Sequence, residues 1–70
     1  MEEKFNTIRE VLGIFGEDAF YSITITKWEV RMQGYATRES FGIAVDNGFI
    51  KEEGITYIKF HRDKTVVIFT

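Results

Sequence analysis

The chain has no cysteine, no proline, one histidine and one tryptophan, and no apolar run near the roughly 20 residues that span a bilayer. Without cysteine there is no disulfide framework, no thiolate metal site and no cysteine nucleophile. A secreted domain of this size usually needs such staples, so a cytoplasmic location is the expectation. The start, Met1-Glu2-Glu3-Lys4, is acidic and has no apolar signal region, so neither processing nor a membrane is expected. Nine Lys and Arg against eleven Asp and Glu leave a net charge of −2, which disfavours a protein whose task is to coat nucleic acid or an anionic surface.

What is present is globular. Hydrophobic residues make up 44% of 70 residues and aromatics 16%, with no linker, repeat or long charge run, so residues 1–70 read as a single domain. Phe5, Ile8, Leu12 and Phe15 recur at steps of three and four, the spacing of an amphipathic helix, with Glu2 and Glu3 at its positive end. Gly13 and Gly16 are both suited to end it, and the spacing predicts a stop near Phe15.

From Phe20 to Gly34 the chemistry turns to alternating β-branched and aromatic residues, first Tyr21, Ile23, Ile25 and then Trp28, Val30, Met32. The parity slips between Ile25 and Trp28. A two-residue hairpin there needs positive φ at Thr26 and Lys27, so one long bulged strand is the reading adopted, with two strands as the alternative. Thr37-Arg38-Glu39-Ser40 has the form of a helix cap, and Asn47-Gly48 that of the matching stop, which predicts a helix over about 37–47. Gly42 would then mark close approach to the sheet. The competing reading is a strand from Phe41 to Val45 leading into an Asn-Gly turn. Ile55 to Phe60 and Thr65 to Thr70 form a hairpin around His61-Arg62-Asp63-Lys64.

The expected fold is therefore α+β, in the order helix, bulged strand or strand pair, helix, strand, strand: a small antiparallel sheet with both helices on one face. The expected core is Phe5, Ile8, Leu12, Phe15, Ile23, Ile25, Trp28, Val30, Phe41, Val45, Ile58, Phe60 and Ile68.

With a four-residue loop the C-terminal hairpin is apolar on both sides, Ile58, Phe60, Val67 and Phe69 sharing one face and Ile55, Tyr57, Val66 and Ile68 the other. A three-residue loop would group Ile58, Phe60, Val66 and Ile68 inward and still leave Tyr57, Val67 and Phe69 pointing the other way. An apolar surplus in so small a body suggests a partner surface, for which Tyr57, Val67 and Phe69 are the candidates. The function this implies is a non-enzymatic interaction module, an accessory or regulatory protein that docks an apolar sheet face or edge on another protein or on itself, as a homodimer.

The alternative is nucleic-acid contact through Lys59, His61, Arg62 and Lys64 near the hairpin tip. Asn47-Gly48-Phe49-Ile50, between a helix and a hairpin, resembles the junction of recognition helix and wing in winged-helix domains, over the second half of the chain alone. Glu39 and Asp46 are poor groups to lay against phosphates. Gly13-Ile14-Phe15-Gly16 has the G-x-x-G form of a KH loop, but Glu17 and Asp18 follow where basic companions are needed.

No catalytic constellation is legible. Ser22 and Ser40 lack the glycines of a nucleophile elbow, and the neighbours Glu17-Asp18 and Glu52-Glu53 do not converge if extended. His61 and Asp63 supply at most two ligands where zinc takes three or four, so neither metal nor cofactor is expected.

Overall fold

In a computed structural model, which describes residues 2–70 and Glu53 by its backbone alone, the chain forms α1 (Glu2–Phe15), a 3-10 turn (Glu17–Ala19), β1 (Phe20–Ile25), β2 (Val30–Gly34), α2 (Arg38–Asp46), β3 (Ile50–Glu53), β4 (Ile58–Arg62) and β5 (Thr65–Phe69). The class is α+β, with one five-stranded sheet in the order β1-β2-β5-β4-β3. Neighbours are antiparallel except β2 and β5, which run parallel. The expected all-antiparallel sheet is thus corrected to a mixed one. A parallel pair needs a crossover, supplied here by α2 and the strands after it, and no local pattern announces it.

The helix ends follow their residues. Gly16 (φ 100°) donates its N–H to the Leu12 carbonyl and ends α1 in a conformation that other residues resist. Thr37 caps α2, its hydroxyl accepting the Ser40 N–H at 3.0 Å, and Gly48 (φ 81°) follows its last turn. The helix reading of 37–47 therefore holds over the strand reading. Gly42 faces open space, so its expected approach to the sheet is corrected.

The long bulged strand is also corrected, to the hairpin β1–β2. The Thr26 hydroxyl accepts the N–H groups of Trp28 and Glu29, and the Thr26 N–H donates to the Glu29 carbonyl at 2.9 Å. Those bonds close a four-residue loop with no positive φ. A bulge does occur, but at Tyr21, between the Phe20–Gly34 and Ser22–Gln33 pairs. Strand β3 was not expected, because Lys51, Glu52 and Glu53 are poor strand formers.

Register sorts the side chains. On the helix side lie Val30, Met32 and Gly34 of β2, Thr65, Val67 and Phe69 of β5, and Ile58 and Phe60 of β4. Val11 of α1, Ala44 of α2 and Phe49 join this one core, so both helices cover the same face. Six of the seven phenylalanines meet there. The Phe69 ring lies within 6.0 Å of the rings of Phe15, Phe20, Phe41 and Phe60, in tilted, edge-on and stacked contacts of the kind aromatic quadrupoles favour.

Four expected core residues are exposed: Phe5, Ile23, Trp28 and Val45. Trp28 sits in the β1–β2 loop, Ile23 on an edge strand, and Phe5 and Val45 on the outer flanks of their helices, where no element covers them.

Candidate interaction edge

The residues proposed from the C-terminal hairpin do not form one surface. Val67 and Phe69 are wholly buried on the helix side, which corrects their assignment as partner contacts: β5 is the central strand, covered on both flanks by β2 and β4. On the open face two rows cross the sheet, Thr24–Arg31–Val66–His61–Ile50 and Ser22–Gln33–Ile68–Lys59–Glu52. Val66 and Ile68 are only 7% and 8% exposed there, each flanked by long polar neighbours. Glu29 pairs with Arg31 at 2.8 Å and Glu52 with Lys59 at 3.2 Å, holding those side chains over the sheet. The apolar surplus of Val66 and Ile68 is therefore absorbed within the protomer, while Ile55 stays fully exposed. Tyr57 alone of the three candidates stays exposed, its ring lying against Gly54 in the β3–β4 turn.

The basic residues of the alternative reading are also separated. Lys59 and His61 share the open face, with Lys59 neutralised by Glu52. Arg62 points to the helix side, where it pairs with Glu10 and donates to the Asn47 carbonyl. Lys64 stands apart in the β4–β5 turn. A groove of about 530 Å³ runs past Lys4, Glu10, Lys27, Arg62 and Lys64 with acidic groups interleaved and does not include His61. Ser40 is engaged by the Thr37 hydroxyl at 2.9 Å, and the Glu53 side chain lies outside those described. Among the described residues no cluster of three or more His, Asp or Glu is placed to hold a metal, and no helix is long and apolar enough to cross a membrane.

Among the described residues two groups of exposed large apolar side chains lie at the sheet's rims, Ile50, Ile55 and Tyr57 on β3 and its turn, and a second along β1 and its ends. Tyr21 (51% exposed) and Tyr35 (71%) have ring centres 5.0 Å apart at one end, Ile23 (45%) lies midway, and Trp28 (74%) stands in the loop at the other. The bulge and a bond of 3.0 Å between the Tyr21 and Thr70 hydroxyls hold Tyr21 in place. The Lys4 ammonium donates to the Thr26 carbonyl and ties the loop to α1.

Each edge of the sheet is protected differently. β3, Ile50-Lys51-Glu52-Glu53, carries three charges in four residues, a common guard against strand addition. β1, Phe20-Tyr21-Ser22-Ile23-Thr24-Ile25, carries none in six. Because Thr26 bonds back to Glu29 and antiparallel pairs alternate, Ser22 and Thr24 turn their backbone groups toward β2. Ile23 and Ile25 present theirs to the free side. An edge of this kind can accept a further strand. No signal for it was read from the sequence, because an edge is defined by strand order; the absence of charge in Phe20–Ile25 was visible but had no meaning until β1 was placed at the rim.

No protein-family model, curated protein or solved structure matches this chain.

Proposed function

We propose that the protein is a small non-enzymatic interaction module, cytoplasmic and accessory or regulatory in character, that binds an extended protein segment along β1. The observation that carries this reading is the contrast between the two sheet edges: charged residues guard β3, while β1 offers the outward backbone groups of Ile23 and Ile25 beside exposed Tyr21, Ile23 and Trp28. Main-chain hydrogen bonds would supply affinity, and the flanking aromatic side chains specificity. A lysine placed at Ile23 would leave a charge on the edge and block the approach, as natural edge strands do.

The test is selection of displayed extended peptides against the folded chain. Binders that lose about ten-fold or more in affinity on Ile23→Lys, with an unchanged circular dichroism spectrum, support the reading. Binders indifferent to that substitution place the contact elsewhere and overturn it.

A further inference from the structure

We propose that the strand added to β1 is β1 of a second copy of this chain, antiparallel, with the two-fold axis passing beside Ile23. The proposal rests on the edge reading above and names its occupant. With Ile23 opposite its own counterpart, the two residues exchange N–H and C=O groups, both of which face outward. The same register sets Ser22 opposite Thr24, while Tyr21 lies in the bulge outside the regular ladder. Hydroxyl residues then meet on the open side and Ile23 meets Ile23 on the helix side, so each face continues across the junction without a change of character. An identical strand is thus a matching ligand, and the two-fold closes the assembly at two copies.

Charge selects the same orientation. β1 is neutral, but Glu17 and Asp18 precede it and Lys27 follows it, all three exposed. None of them forms an ion pair within the protomer among the described residues. Antiparallel pairing about Ile23 brings the loop that carries Lys27 in one copy toward the end of β1 that Glu17 and Asp18 precede in the other, and the symmetry does so twice. A parallel arrangement would set acid against acid and lysine against lysine. A foreign strand has no such built-in match at both ends.

Sedimentation equilibrium of the full chain at low salt, over a wide concentration range, tests this. The expected mass rises from 8.2 kDa to twice that value. Ile23→Lys should hold the protein at the monomer mass. Lys27→Glu and Asp18→Lys, both at exposed positions that the fold does not use, should each weaken the dimer roughly 3- to 10-fold, and combining them in one chain should restore it. A monomer at every concentration overturns the second copy as occupant; if Ile23-dependent peptides are still selected, the edge reading survives that failure. A dimer unaffected by Ile23→Lys, or a double exchange that does not recover, overturns the proposed pairing.

Discussion

The guanidinium of Arg62 sits 4.6 Å from the centre of the Phe49 ring. From there it donates to the Asn47 carbonyl at 2.8 Å and pairs with Glu10, so one side chain joins β4, the end of α2 and α1. Phe49 is 5% exposed and owes part of that shelter to the planar group above it.

Arg62→Lys keeps the charge but lacks the fork that serves both acceptors while stacking on the ring. It should cost about 1–2 kcal/mol in urea unfolding. Glu10→Gln should cost under about 0.5 kcal/mol, because the Glu10 side chain is 58% exposed and its pair is screened by water. Equal losses for the two variants would show that the ion pair, and not the stacking and the carbonyl bond, is what holds Arg62.

Gly34 and Gly42 should respond to alanine with opposite signs. At Gly34 a Cβ would overlap the Ala19 carbonyl oxygen, which belongs to the backbone and cannot swing aside. Gly34→Ala should lose about 2–4 kcal/mol, a large share of the stability of so small a domain. At Gly42 a Cβ meets nothing within 4 Å, and the position is an exposed helix interior. Gly42→Ala should therefore gain up to about 1 kcal/mol, read from the denaturation midpoint.

Phe69 and Tyr57, once paired as surface candidates, should separate cleanly in thermal unfolding. Phe69→Ala empties the centre of the phenylalanine cluster and should cost about 3–5 kcal/mol. Tyr57→Ala removes a 42% exposed ring from the β3–β4 turn and should cost under about 1 kcal/mol. A mild Phe69 variant would contradict the burial described for β5.

What the sequence made legible was local. The spacing of Ile8, Leu12 and Phe15 and the Thr37 cap fixed both helices, because a helix is specified by contacts within a few residues. The parity of Ile58, Phe60, Val67 and Phe69 gave the helix side of the C-terminal hairpin, although the pairing places Phe60 opposite Val67 and shortens the turn to Asp63-Lys64, where Asp63 takes φ 53°. Strand order was not legible: whether β5, and Phe69 with it, lies at the rim or between two neighbouring strands depends on the β2–β5 pairing, which joins Gly34 to Phe69. For the same reason the sequence points Trp28 to the core, since its alternation with Val30 and Met32 is genuine in sequence while Thr26 folds the chain away beneath it.

The position of β5 between β2 and β4 has a consequence for synthesis. The β1–β2 hairpin has no second neighbour for β2 until residues 65–69 arrive, and β4 likewise waits for them on its inner side. A ribosome-bound fragment stopped short of Thr65 holds two half-sheets with bare inner rims, so native structure should appear in one late step once that segment clears the exit tunnel, and holdase chaperones should find their targets before that moment.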